Sequence, residues 1–198
     1  MIQNHIILAI AWIFFCVIHS LLASLSVKQK IGKYFGDHFK WYRPAYIVFA
    51  ALTFGAVLFY QFSIPTKLLY KINTASVIAG SAIGIFGIII MMSCIVKYFS
   101  LISGLNSLFL KNRTNKLLTT GLHRHVRHPL YFGTFLFIWG MFIALPYLSW
   151  LISSIIITLY TLIGIRYEET KLELEYGESY KEYKKKVPML VPRVGNRQ

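Results

Sequence analysis

The sequence predicts an all-α polytopic membrane protein with five transmembrane helices, the fourth and fifth forming a helical hairpin, followed by a C-terminal amphipathic helix. Three observations carry this reading. The 198 residues are 56% hydrophobic with a mean hydropathy of +0.57, too apolar for an ordinary soluble domain. Only 14% are charged, and they are bunched between long uncharged stretches. The Lys/Arg residues also alternate from loop to loop, as an odd number of spans requires.

A span needs about 20 apolar residues. Ile6 to Leu25 meets this. It has no basic region before it and no small-x-small site after it, so it reads as a retained helix rather than a cleaved signal peptide. The second stretch, Trp41 to Phe62, is aromatic at both ends and carries Arg43 where it can snorkel. The third, Val77 to Val96, is uncharged and carries Gly80, Gly84 and Gly87, a spacing that lets helices approach closely. Leu130 to Ile165 is also uncharged but too long for one span. Pro146, between Leu145 and Tyr147, divides it into two short helices joined by a tight apolar turn.

Five spans place 19 of the 21 Lys/Arg on one side, whereas four or six would put the basic tail opposite the basic loops. The N-terminus is then outside, and the C-terminus and all seven acids are cytoplasmic. In the tail, Leu172, Tyr176, Tyr180, Tyr183 and Val187 follow steps that line one helix face. That helix lies on the membrane surface, packs on the cytoplasmic mouth of the bundle and closes a pocket, or does both.

The net charge of +14 would suit nucleic acid. Positive-inside sorting and anionic headgroups explain it better, because no soluble basic domain remains. The expected partner is therefore the lipid bilayer, with no nucleic acid and no protein partner inferred. Cys16 and Cys94 lie within apolar stretches and form no CxxC pair, so neither a disulfide framework nor a zinc site is expected.

Two clusters place ionisable residues at the membrane boundary. The first is Gly121-Leu122-His123-Arg124-His125-Val126-Arg127-His128-Pro129, directly before an apolar helix. Pro129 suits the first helical turn, and a helix N-terminus favours an anion such as a carboxylate. The plainer reading is a basic topogenic flank. Metal binding by the three histidines is disfavoured by the arginines between them and the lack of a nearby acid. The second cluster is Arg166-Tyr167-Glu168-Glu169, where adjacent acids at a helix end oppose the dipole and call for compensation by Arg166, the basic 123–128 cluster or a cationic ligand. The hairpin would bring both clusters to one face, which suits a zwitterionic ligand. His19, within the first span, is a functional candidate because intramembrane ionisable residues are costly. Its plain alternative is a neutral histidine hydrogen-bonded to a neighbouring helix.

From Leu117 to Pro192 the chain resembles the membrane methyltransferases that include isoprenylcysteine carboxyl methyltransferase, phospholipid N-methyltransferases and methanethiol S-methyltransferase. The shared residues are Leu117-Leu118-Thr119-x-Gly121, then Arg127-His128-Pro129-x-Tyr131-x-Gly133. After a hairpin come Glu168-Glu169-x-x-Leu172, Tyr176-Gly177-Glu178-x-Tyr180-x-x-Tyr183, Val187-Pro188 and Pro192. The resemblance implies one membrane domain over 1–198, with three N-terminal spans in 1–97 and a cofactor-binding region in 98–198. It implies S-adenosylmethionine as cofactor, lined by His123, His128, Pro129 and Tyr131, with backbone contacts from Asn115, Lys116, Leu117 and Leu118. Glu168 would hold a polar end of the cofactor, and Glu169 should point elsewhere on the helix. Carboxyl-methylating relatives are similar to one another in having an arginine where Gly164 stands here. Gly164-Ile165-x-x-Glu168-Glu169 and His19-Ser20-x-x-Ala23 look like the methanethiol S-methyltransferase branch. A small or lipophilic thiol, or another lipophilic nucleophile, is therefore the expected acceptor, with His19 or a histidine of the 123–128 cluster able to take a thiol proton. The alternatives are a sterol-type NADPH-dependent membrane reductase and a non-enzymatic haem- or lipid-handling membrane protein.

Overall fold

A computed structural model describes residues 1–103 and 117–192. The described residues are helical apart from short turns and an isolated bridge between Leu68 and Tyr147. The helices are α1 (Ile2–Ala23), α2 (Leu25–Phe35), α3 (Tyr42–Ser63), α4 (Thr74–Ser103), α5 (Pro129–Ala144), α6 (Leu148–Tyr176) and α7 (Glu178–Lys186). Single 3₁₀ segments occupy Gly36–Trp41 and Gly121–Arg124.

Local chemistry sets the boundaries. Ser24 is extended, and its hydroxyl accepts from Val27 N, so α1 stops and α2 starts at one residue. Pro129 opens α5 in its first turn. Pro146 follows the end of α5, which accounts for the break expected inside Leu130–Ile165. The start of α6 is held by Leu148 N donating to Lys67 O and Ser149 N donating to Thr66 Oγ1.

Among the described residues, four helical stretches are long and apolar enough to cross a membrane: Ile2–Ala23, His38–Ser63, Thr74–Lys97 and Leu148–Tyr176. The apolar helix α5 has 16 residues. It spans about 24 Å at 1.5 Å per residue, less than a typical hydrocarbon core. The tail departs from the continuous stripe expected over Leu172–Val187. Gly177 adopts φ +56 and separates α6 from α7, a conformation costly for residues with a Cβ.

The chain divides into two compact units, Met1–Lys71 with Tyr147–Tyr160, and Ile72–Pro146 with Thr161–Gln198. Helix α4 runs through the 97/98 boundary read from the sequence. In the first unit, Leu8, Trp12, Val57 and Ile64 form the core, with Phe15, Ile156 and Ile157 packed on it. Gln61 Oε1 accepts from both Trp12 Nε1 and Ser153 Oγ, at 3.1 and 2.6 Å. Where no water can substitute, such pairing offsets the cost of burying polar groups and joins α1, α3 and α6.

In the second unit α4 and α5 run antiparallel, glycine against glycine. A Cβ on Gly87 would meet Gly133 O at 2.6 Å, and one on Gly140 would meet Gly84 N at 2.6 Å. The expected close-approach role of Gly80, Gly84 and Gly87 is thus realised against Gly133, Gly140 and Ala144.

Candidate functional site

The second unit gathers most of the residues singled out in the sequence. Helix α6 buries a stripe of Thr161, Ile165 and Glu169 at four-residue spacing. Glu169 therefore faces inward, about 100° round the helix from Glu168. Arg127 Nη2 lies 2.7 Å from Glu169 Oε1, and His128 Nε2 lies 3.2 Å from the same oxygen. Lys184 Nζ lies 3.2 Å from Glu169 Oε2 and 2.8 Å from Glu173 Oε1. Glu168, one step round the helix, keeps a side chain 45% exposed, with Oε2 3.8 Å from His128 Nδ1. One carboxylate is thus committed to a buried ion pair, and its neighbour borders the same histidine from an accessible position.

The tail is strapped onto this cluster. Arg127 N donates to Pro188 O, and His128 N donates to Met189 O, at 2.9 and 3.1 Å. Arg127 Nη1 donates to Lys184 O and Val187 O. Tyr183 Oη donates to His123 O. Tyr180 is 1% exposed, and burial, with the Glu169 carboxylate second, holds its hydroxyl above the usual range. The inward placement of Tyr180 and Tyr183 follows the packing alternative for the tail rather than exposure of that face.

The remaining predicted residues fall as follows. His128 stacks on Tyr131 at 5.7 Å, and Pro129 is buried at the start of α5. Leu118 packs with Leu122, Leu130 and Phe132 on the Ile90–Cys94 core, while Leu117 is half-buried. Asn115 and Lys116 lie outside the described residues. A cavity of about 490 Å³ is lined by Ser93, Lys97, Gly121, Leu122, Arg124 and His125. Its walls do not include His128 or Glu168, and its cationic residues suit an anionic group.

His123 is pushed down to about 4, first by burial and then by His128 and Lys97. It is neutral in the folded protein at physiological pH, whereas the unfolded chain binds the proton near the ordinary 6.5. Stability should therefore fall as pH drops from 6.5 towards 4, since the unfolded state takes up the proton first. Melting temperature against pH should show this loss, and His123→Gln should flatten the curve in that window. An equal slope in both proteins would remove His123 as its origin.

His19 lies in the first unit. Tyr46 Oη of α3 is 3.0 Å from both of its ring nitrogens and 3.4 Å from its carbonyl oxygen. One turn away, Ser20 Oγ and Tyr160 Oη are 2.9 Å apart, and Tyr42 Oη donates to Leu22 O. The structure thus supplies the inter-helix partner of the plain reading. Sequence reasoning missed Tyr46, Tyr160 and Lys184. Tyr42 and Tyr46 sit four apart at the start of an apolar stretch and share a helix face, but that spacing does not name His19 as a partner.

The family model described as "Protein of unknown function (DUF1295)" matches residues 28–187. The chain belongs to the DUF1295 family. Among curated proteins, this DUF1295 chain is 30% identical to methanethiol S-methyltransferase 2 of Bradyrhizobium diazoefficiens over 192 residues, covering 91% of the chain and 70% of that protein. It is 29% identical to the methanethiol S-methyltransferase of Crocosphaera subtropica over 162 residues, covering 78% of the chain and 62% of that relative. The protein-S-isoprenylcysteine O-methyltransferase of Schizosaccharomyces pombe is 34% identical over 85 residues, 42% of the chain and 36% of that protein. The chain spans 62% of the length of the Crocosphaera relative. The resemblance read from the motifs, to membrane methyltransferases and their methanethiol branch, is thus met in these relatives. No solved structure matches the chain.

Proposed function

We propose that the chain is an integral membrane methyltransferase that uses S-adenosylmethionine to methylate a small or lipophilic thiol. The observation that carries this is the 30% identity to methanethiol S-methyltransferase 2 across 91% of the chain. Proposed with it is a five-span topology with the N-terminus outside and the C-terminus cytoplasmic, motivated by the Lys/Arg asymmetry. A reporter fused after Gln198 should then be cytoplasmic and one at Pro65 external, and an external Gln198 would refute it.

The donor set of the second unit fits the cofactor. A cavity carrying Lys97 and Arg124 suits its carboxylate, and Glu168, accessible beside His128, suits its amine or ribose end. When bound, S-adenosylmethionine supplies a methyl group on a sulfonium, open to in-line attack by sulfur. The chain's own work is to bind and orient the reactants and exclude water. The Arg127–Glu169 pair fixes His128, and the 187–189 strap fixes the backbone of Arg127 and His128. A neutral thiol must lose its proton, and His19 is the group assigned to receive it.

Gly164 stands where the carboxylate-gripping arginine would be, and no atom lies within 4 Å of a Cβ built there. The position has room for a side chain, so sterics do not explain the glycine. Its lack of charge argues for an acceptor without a carboxylate at that point.

Calorimetry with both cofactors tests the class. S-adenosylmethionine should bind saturably and NADPH should give no heat, and the reverse would favour a reductase. Glu168→Gln should weaken S-adenosylmethionine binding by roughly tenfold, the scale of one charge-assisted hydrogen bond. Unaltered affinity would remove Glu168 from the site.

A further inference from the structure

Helices α1 and α3 face each other through matched stripes. On α1 these are Ala11, Phe15 and His19, and on α3 they are Tyr46, Ala50 and Thr53. Where glycines face each other on α4 and α5, the backbones close up and leave no space. Here the small residues Ala11 and Ala50 stand among aromatic ones. The bulky rings keep the helices apart, and the small side chains do not fill the gap. The result is a cavity of about 210 Å³ whose walls are almost wholly apolar. Phe14 and Phe49, also in its wall, are 62% and 43% exposed on the outer surface of spanning helices, which puts the mouth of the cavity towards lipid.

The polar spot in that wall is the His19–Tyr46 pair. Tyr46 Oη lies 3.4 Å from His19 O, where its O–H donates, and 3.0 Å from the ring nitrogens. Both ring nitrogens lie equally close to that hydroxyl, so the imidazole and the phenol act as one polar spot at the cavity wall. The cavity therefore offers apolar walls and one polar spot, which matches a short alkyl chain ending in a single weakly polar group.

We infer that this cavity is a binding site for a small neutral alkanethiol, entered from the bilayer, with the S–H directed at His19. The choice of a thiol over another apolar ligand rests on the proposed function. Ala50 then limits the size of the alkyl group, and Tyr46 is a positioning residue that holds the imidazole.

The test is equilibrium binding of labelled 1-butanethiol to the full chain in lipid nanodiscs, with empty nanodiscs subtracting partition into the bilayer. One saturable site per chain is expected. Ala50→Phe and Ala11→Leu fill the space from opposite walls, and each should abolish saturation while melting cooperatively. His19→Phe should weaken binding roughly tenfold, and methyl butyl sulfide, which lacks the S–H, should compete poorly. Saturation retained in both filled variants, or its absence from the unaltered chain because lipid acyl chains occupy the space, would overturn the assignment. Methyl transfer to a thiol without saturable binding here would sink the cavity and leave the methyltransferase reading intact. Saturable binding with no transfer to any thiol would do the opposite.

Discussion

Glu169→Gln is expected to destabilise the protein by about 3–5 kcal/mol, the range for removing one partner of a buried ion pair. The Glu169 and Arg127 side chains are only 10% and 8% exposed. Without the carboxylate, Arg127 keeps its buried charge but loses its counter-ion. Glutamine can keep one uncharged oxygen for Arg127 and His128, but Lys184 then meets an amide N–H in place of one of its two carboxylates. Because the same guanidinium holds Lys184 O and Val187 O, the damage should spread to the tail strap. Thermal unfolding should register the loss, and hydrogen exchange should rise over residues 178–189. Glu182→Gln is the control. Its partner Lys185 is exposed and only three residues away on α7, and such pairs contribute little. Equal effects from the two substitutions would mean that the Glu169 cluster is no tighter than a surface pair.

Gly140→Ala should destabilise by roughly 1–3 kcal/mol, the cost of overpacking a filled interface. The added methyl would sit 2.6 Å from Gly84 N and 2.7 Å from Gly80 O, and both obstacles are backbone. No rotamer change can relieve them, so α4 and α5 must separate. The same substitution at Gly55, where nothing lies within 4 Å, should be neutral or stabilise by about 0.5–1 kcal/mol, because a helical glycine costs about that much relative to alanine. Opposite signs for one chemical change are the expected result. Melting temperatures of both variants under one detergent condition decide it, and matching shifts would contradict the close-packed seam.

Much of the fold was legible because its signals are local. Pro129 opens α5, Pro146 splits the long apolar stretch after it, and the glycines of the third stretch mark a close crossing, each through backbone chemistry that one residue imposes. The tail was harder. Its apolar periodicity runs unbroken through residue 177, yet Gly177 takes a positive φ, and periodicity cannot reveal a turn that happens to preserve the spacing. The site was legible as a set of residues but not as geometry. Adjacent glutamates differ by about 100° around a helix, so choosing which one faces inward needs the buried stripe of Thr161 and Ile165 extended four residues on. Resemblance drew attention to Glu168, and the sequence set the two acids against the whole 123–128 cluster without pairing Glu169 with Arg127, 42 positions away. Tyr46 and Tyr160 were hidden for a related reason. A tyrosine at a span end is ordinary in a membrane protein, and only the packing of α1 against α3 shows that Tyr46 meets His19.

Thiol methylation is tested most directly by transfer of labelled methyl from S-adenosylmethionine to matched acceptors, with the purified chain in nanodiscs. 1-Butanethiol should become methyl butyl sulfide, at a rate that rises with pH as thiolate forms, and a prenylcysteine carboxylate should not be methylated. Ester formation on the prenylcysteine with no thioether from any thiol would contradict it.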